Sequence, residues 1–454
     1  MSMSQREGAS QGEFWIPTST LARGPGNPFY ERLNALFAEC GLDRHIEGLC
    51  ESYYSRGQGR PSIAPGIYVR MLMVGYFEGL SSEREIAWRC ADSLSLRRFL
   101  GLGLSDETPD HSSISRIRQR LPQEVHDAVF QRVLGLLEEK GLLASKVIGI
   151  DGTTLEANAS LKSLVLRSNG QKYHDYLVDL AKESGIATPT ASDLARLDRK
   201  RPKKGSNEDW KNPHDPDAQI TKMKDGSTHL AHKAEHAVDM QSGAILAVTL
   251  DGGAEGDTTT IDETLEHTLR NVSTLDRAHY EGALDLTIVA DKGYHSNDTL
   301  LTIDASGMTS MISEPDRGQR RWIGKQEEQR VVYANRRRIK SERGRALMKQ
   351  RGEYVERSFA HVCETGGMRR TWLRTHAKIL KRYLMHVAAF NLSLVMRKLL
   401  GAGTPRGFAG RLAASAATLV AQITLTFAWI LAQFEIADAA SAARRRSPRA
   451  ALVA

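Results

Sequence analysis

The chain has 454 residues, of which 41% are hydrophobic and 26% are charged, and its net charge is +8. This composition excludes a disordered or collagen-like chain, and the length exceeds what one core usually organises, so we expect two or three globular domains. The four cysteines form no CxxC pair and no zinc-ligand spacing with histidines, which argues against a disulfide framework and a structural zinc.

The N-terminal part of the chain predicts a helical block. Residues 1–26 are polar and aperiodic, and we predict that they are disordered. Residues 27–143 repeat apolar positions at helical spacing, and Ser82 followed by Glu85 is typical of a capped helix start. Another helix is predicted to begin at Asp110. Its basic residues are expected to share one face: Arg116, Arg118 and Arg120.

The first β-type run after this block, Val147–Ile150, ends on Asp151. A long polar excursion over 165–225 follows, which we interpret as a helix with a mobile basic loop at 199–204. Two apolar runs on either side of residues 240–243 then predict a β-hairpin.

A second aspartate ends the next β-type run. Residues 258–272 predict a helix, and Asp257 before them is interpreted as its cap. The run Leu286–Ala290 leads into Asp291, and a short helix over 299–305 and a strand over 308–312 are expected after it. We interpret His295 as a surface histidine.

A strongly basic segment spans residues 317–351. It carries 13 Lys or Arg against three Glu, a local excess of +10 that is larger than the excess of the whole chain. Such a density would attract a phosphate backbone, although a solvated basic loop is the alternative.

A third acidic candidate, Glu356, lies at the edge of a predicted helical stripe of Val355, Phe359 and Val362. Two strand-end aspartates and a helix-borne glutamate supply the hard oxygen ligands of a two-metal phosphoryl-transfer site. Two glutamates compete for the third place: Glu353 lies nearly one turn earlier, and Glu364 falls beyond the stripe.

These segments resemble the DDE transposases of bacterial insertion sequences over roughly residues 27–406. Three motifs carry the resemblance most specifically: Asp151-Gly152-Thr153-Thr154 with Ala157-Asn158-Ala159, then Asp291-Lys292-Gly293-Tyr294, and Glu356-Arg357-Ser358-Phe359. Many relatives have a lysine seven positions after the glutamate, where this chain has Cys363.

The resemblance implies an α/β fold, namely an RNase H-like mixed sheet flanked by helices over 144–402. It also implies an all-α DNA-binding domain over 27–143, and we expect a helical tail over 403–454. By the same resemblance, Asp151, Asp291 and Glu356 would hold two Mg²⁺ ions, for which Mn²⁺ can substitute.

The implied function is binding of terminal inverted repeats, cleavage of the element's ends and joining of a 3′-hydroxyl to target DNA. The implied partners are double-stranded DNA and a second copy of the chain in the synaptic complex, in the cytoplasm at the bacterial nucleoid. Besides the three arginines of the helical block, the arginines expected to contact DNA are Arg336, Arg337, Arg338, Arg351, Arg357, Arg369, Arg370 and Arg374.

Two alternatives remain open from the sequence alone. One is a nuclease of the same fold that cannot join strands, and the other is a DNA-binding protein whose carboxylates are structural. The uncharged stretch Leu412–Phe434 is long enough to cross a bilayer, but its Thr and Gln residues favour a helix buried against protein, in a homodimer contact, and no membrane partner is expected.

Overall fold

The computed structural model describes residues 26–55, 62–143, 146–200, 205–223, 226–275 and 286–446. Apart from Gly26, the segment predicted to be disordered lies outside these residues. So does most of the basic loop, 201–204.

Within the described residues, seven α-helices precede the sheet, and their starts follow the local sequence. The Ser82 side chain accepts from the Glu85 amide and Glu85 reaches back to Ser82, so the predicted capping box is confirmed. Asp110 caps its helix through the Ser113 amide at 2.8 Å. The helices are α1 Pro28–Glu39, α2 Leu42–Cys50, α3 Pro65–Glu78, α4 Glu83–Asp92, α5 Leu94–Phe99, α6 His111–Arg120 and α7 Gln123–Glu139.

The rest of the chain builds a mixed sheet with helices on both faces. The strands are β1 Val147–Glu156, β2 Val165–Leu166, β3 Trp210–Lys211, β4 Gln219–Lys222, β5 Thr228–Asp239, β6 Ile245–Gly252, β7 Thr287–Ala290 and β8 Thr309–Ile312. The helices are α8 Tyr173–Glu183, α9 Ala191–Lys200, α10 Asp257–Ser273, α11 Asn297–Ala305, α12 Gln326–Lys340, α13 Glu342–Phe359, α14 His376–Leu400 and α15 Pro405–Arg446.

The strand order of the mixed sheet is β4-β5-β1-β7-β8, with β6 also paired to β5, whereas β2 and β3 form a separate two-stranded sheet. The hairpin strand β5 runs antiparallel to β1, whereas β7 and β8 run parallel to it. This topology confirms the predicted RNase H-like α/β domain. The predicted hairpin, the helix after it, the Asp291 strand and the short helix and strand beyond it are all present. The insertion 165–225 holds two helices and short strands rather than one helix.

Helix α14 joins the two halves of the molecule. It packs against α3 and α7 on one side and against β6 on the other, and its side chains are buried from Tyr383 to Met396. The core residues of the N-terminal helices and of the sheet form one continuous hydrophobic cluster. The domain boundaries near 143 and 402 stay predictions.

Helix α15 contacts α1 and α3, and Arg406 in its first turn donates to the Glu78 carbonyl. Its large apolar side chains are exposed over residues 412–430, with Trp429 64% and Leu425 70% exposed. This stretch is therefore not buried within the single chain, and its burial in a homodimer contact stays a prediction. The hydroxyls of Thr418, Thr424 and Thr426 bond to carbonyls of their own helix, so they need no outside partner. Judged only by length and composition, an apolar helical stretch within His376–Ile430 could span a membrane.

Candidate active site

The two predicted aspartates lie side by side where β7 ends, but β1 continues to Glu156, so Asp151 lies within its strand rather than at the predicted strand end. Strands β1 and β7 are parallel neighbours with Gly149 opposite Val289, and Asp151 and Asp291 each lie two residues further along. Because side chains alternate along a strand, both aspartates leave the sheet on the face that carries Gly149 and Val289. That face is covered by α13.

Asp151 is held in place from two sides. Its Oδ1 accepts from the Gly152 amide at 2.8 Å, and its Oδ2 lies 2.6 Å from Nη1 of Arg351 on α13. Burial raises the pKa of Asp151, Arg351 opposes that shift, and the Asp291 carboxylate adds to it. The two aspartates are therefore electrostatically coupled.

Asp291 sits at the turn that follows β7. Its Oδ1 accepts from the Gly293 amide at 2.7 Å and so caps the short 3₁₀ turn Lys292–Tyr294. This bond fixes one carboxylate oxygen. Among the described residues no other partner is recorded for the Asp291 carboxylate.

Glu356 lies on the flank of α13 that faces the same edge. A Cβ at Gly149 would meet Val355 at 2.9 Å, so Val355 points at β1. Its neighbour Tyr354 points towards Gly243, in the β5–β6 turn at the opposite edge. Successive helix positions are about 100° apart, so Glu356 lies on the other flank, towards Asp151 and Asp291. Glu356 is exposed and has no recorded partner within the described part of the chain.

The rival acidic residues are engaged elsewhere. Glu353 pairs with Arg357 at 2.5 Å, and Glu364 pairs with Arg369 at 2.6 Å. Asp257 is not the cap of α10, as had been expected, since Gly256 takes that position and the Asp257 carboxylate bonds Lys233 at 2.6 Å.

Two further expectations change. His295 is fully buried rather than on the surface, and burial lowers its pKa. Cys363, at the place where relatives have a lysine, is buried beside the Tyr383 hydroxyl. No DNA contact can come from that position.

The carboxylates suit a divalent metal by their chemistry and charge. Asp151 and Asp291 offer hard oxygens, and a cation, the Arg351 guanidinium, already neutralises Asp151. In this arrangement no group of three or more His, Cys, Asp or Glu within the described ranges is placed to hold a metal ion. Two changes would open the site: Arg351 must leave Asp151, and Glu356 must turn inward.

The predicted basic face of α6 needs a correction. Arg116 and Arg120 are exposed, but Arg118 is only 3% exposed and pairs with Glu83. Positions 116 and 120 share a flank, whereas 118 lies about 200° from each of them on the helix. Arg118 therefore supports the packing of α4 on α6 and cannot contact DNA.

The arginines of α12 also differ in whether they are exposed or bonded within the protein. Arg336 is bound to Glu314 at 2.5 Å, and Arg338 donates to the Ser310 carbonyl at 2.8 Å. Arg337 is exposed and lines a cleft with Lys146 and Arg343. The cleft also includes Thr287, at the start of β7, so it lies at the edge opposite Asp291.

The arginines after α13 lie near the far end of β1. Arg369 is anchored to Glu364 and to the Thr154 carbonyl. Arg370 stacks on the exposed ring of Trp372 at 5.0 Å, and Arg370 and Arg374 line a cleft that also contains Asn158 and Asn212. Both side chains are exposed, although Arg370 pairs with Glu156 at 3.5 Å and Arg374 donates to the Asn158 carbonyl at 3.2 Å.

Two charged residues of the site were missed from the sequence. Lys233 and Glu235 are buried on β5, where they lie against Gly152 of β1, and Glu235 also bonds Tyr294 of the turn after Asp291. The available signal was their spacing, because two opposite charges two residues apart in an apolar strand face the same side.

Comparisons with known proteins bear on this site. A transposase domain of the DUF772 type matches residues 19–120, and a transposase DDE domain matches residues 203–392. The chain belongs to the DDE transposases of the insertion-sequence type. No curated protein matches its sequence.

Two solved structures are distantly similar. They are a pre-cleavage Mos1 transpososome, at 10% identity and a TM-score of 0.20, and a Mos1 transposase paired-end complex with the left transposon end, at 9% and 0.18. Each alignment covers 69% of this chain and 82% of the other.

Proposed function

We propose that this transposase cleaves the ends of its element and joins a 3′-hydroxyl to target DNA by two-metal phosphoryl transfer. The observation that carries the proposal is the convergence of Asp151, Asp291 and the Glu356 flank of α13 at one edge of the sheet. A structural role alone would not require two coupled aspartates at an open edge.

Asp151 and Asp291 would hold the ions, with Glu356 completing the ligand set. Two bound Mg²⁺ ions would activate the attacking hydroxyl and stabilise the leaving oxygen, and Mn²⁺ would serve in their place. Arg351, once released from Asp151, offers a planar fork to a phosphate oxygen near the scissile bond.

The DNA would approach the site from two sides. Arg370 and Arg374 line the cleft beyond β1, and Trp372 beside them offers a ring for an unstacked base. Arg116 and Arg120 remain the exposed basic residues of α6 for the terminal repeat. We further propose that two copies act together at the paired ends, in the cytoplasm at the nucleoid.

The test uses the full chain with duplexes that carry the inverted repeats flanking its gene. Cleavage and strand transfer are followed in Mg²⁺, in Mn²⁺ and in EDTA. Asp151→Asn, Asp291→Asn and Glu356→Gln should each abolish both activities while DNA binding persists. Glu353→Gln, one turn earlier on the same helix, is the matched control and should stay active.

Each outcome separates the possibilities. Cleaved ends without joined product would identify a nuclease of this fold instead of a transposase activity. DNA binding without cleavage in either metal would identify a DNA-binding protein that lacks this catalytic activity. A dead Glu353→Gln variant beside an active Glu356→Gln variant would move the third ligand to Glu353.

A further inference from the structure

A buried ion network lies on the face of the sheet opposite α13. Its centre is Glu235 on β5, which is fully buried. The carboxylate receives four donors: the hydroxyls of Thr260, Thr264 and Tyr294 and the ammonium of Lys233, the last at 2.8 Å. A buried charge so fully bonded is costly to assemble, so it needs a reason beyond stability.

The network contacts the turn that carries Asp291. Tyr294, three residues after Asp291, donates its hydroxyl to Glu235 at 2.9 Å. A Cβ at Gly293 would lie 2.1 Å from the Asp257 carboxylate, so only a glycine lets the turn lie this close to it. Asp257 in turn bonds Lys233 at 2.6 Å.

The same network contacts strand β1 directly beside Asp151. A Cβ at Gly152 would lie 2.9 Å from Cε of Lys233 and 3.3 Å from the Tyr294 hydroxyl. The backbone next to Asp151 therefore rests on the side chains that also hold the Asp291 turn. Asp151 is followed directly by Gly152, and Asp291 is followed two positions later by Gly293. Both glycines lie against this network.

Electrostatic attraction links the charged residues of the network. Burial alone would lower the pKa of Lys233, but Glu235 and Asp257 raise it, so the ammonium stays charged between two carboxylates. Lys233 also lies 5.7 Å from the centre of the Tyr294 ring. Loss of one hydroxyl donor therefore leaves the buried Glu235 carboxylate with fewer hydrogen bonds, beside the β1 segment of Asp151 and the turn of Asp291.

We propose that the Lys233–Glu235–Tyr294 network is a positioning device that sets the separation of Asp151 and Asp291 for the divalent metal. The proposal rests on the proposed function, since it takes these aspartates as metal ligands. The network itself touches neither substrate nor metal. It acts through the backbone at Gly152 and through the turn at Gly293.

The test measures Mn²⁺ affinity of the full chain by counting free Mn²⁺ in electron paramagnetic resonance. Tyr294→Phe keeps the ring and removes one donor to Glu235, and Thr264→Val removes another. Loss of such outer contacts typically weakens metal binding about 10- to 100-fold, which is the effect expected for both variants.

Two matched controls lose a buried hydroxyl elsewhere. Tyr68→Phe breaks a bond to His126 within the N-terminal helices. Thr268 lies one turn beyond Thr264 on α10, and Thr268→Val breaks its bond to the Thr264 carbonyl. Both should keep wild-type Mn²⁺ affinity. A purely structural role of the network would give Tyr294→Phe and Tyr68→Phe the same affinity.

The outcomes distinguish this proposal from the proposed function. If Asp151→Asn and Asp291→Asn leave Mn²⁺ affinity unchanged, the aspartates are not ligands and both proposals fail. If those variants lose binding but Tyr294→Phe and Thr264→Val match their controls, only the positioning role is overturned.

Discussion

The two edges of the central sheet carry opposite charge. Where β7 ends, Asp291 and the neighbouring Asp151 of β1 form an acidic pair. At the edge where β7 begins, Lys146, Arg337 and Arg343 line a basic cleft. The acidic edge suits a metal and the basic edge suits a phosphate backbone, and the length of the strands separates them.

This difference shows how little a local charge count says about a surface. The segment 317–351 has an excess of +10, yet Glu314 neutralises Arg320 and Arg336 near the acidic edge. Arg338 is bound to backbone, and Arg351 is bound to Asp151. Arg337 and Arg343 line the cleft at the opposite edge. The residues outside the segment that pair with its arginines therefore determine the electrostatic potential of its surface.

The largest effect is expected where charge is buried. Glu235→Ala would leave Lys233 with only Asp257 as a charged partner, and breaking a buried pair in this way costs about 3–5 kcal/mol. The free energy of unfolding in urea should fall by that amount. The double variant Lys233→Met with Glu235→Leu should lose less than the two single variants together. Simple additivity would show that the network is not a unit.

Sequence reasoning reached the residues of the acidic edge because their chemistry is local. An aspartate after an apolar run predicts a strand-end carboxylate, and the three motifs predicted Asp151, Asp291 and Glu356. The partners of Arg118 and Asp257 are 35 and 24 residues away along the chain, Glu83 and Lys233 respectively. No local pattern contains such pairs, and so a basic face and a helix cap were expected in their place.

A second prediction concerns a buried group that is kept neutral. His236 on β5 bonds the hydroxyls of Ser358 and Tyr383, and burial lowers its pKa to about 3. The unfolded chain takes up a proton near pH 6.5 and the folded chain does not. Stability is therefore full above that pH and falls below it, by at most about 1.4 kcal/mol per pH unit.

The measurement is the pH dependence of urea unfolding between pH 7 and pH 5. His236→Gln should flatten this dependence relative to the wild type, whatever its own stability. Burial lowers the pKa of His126, in the N-terminal helices, to about 4. His126→Gln is therefore the comparison variant. An unchanged slope in His236→Gln would mean that this ring is protonated in the folded chain.

A third prediction separates DNA binding at the basic edge from chemistry at the acidic edge. Arg337→Gln with Arg343→Gln should reduce the dependence of log affinity on log salt by about 0.9 per lost phosphate contact. Cleavage at saturating DNA should stay unchanged. The matched pair is Arg336→Gln with Arg320→Gln, whose side chains both bond Glu314 outside this cleft and should leave the salt dependence intact. The reverse pattern would place the DNA on the Glu314 side.

The smallest effect is expected for a paired charge at the surface of the basic segment. Arg330 bonds Asp304 at 2.6 Å and Glu327 at 2.9 Å, and its side chain is 55% exposed. Water screens such a pair, and holding long side chains in one geometry offsets most of the attraction. Arg330→Gln should leave the midpoint of urea unfolding and the salt dependence of DNA binding unchanged. A midpoint shift as large as that of Glu235→Ala would mean that burial is not what separates the two regions, and that the number of charged partners decides the cost.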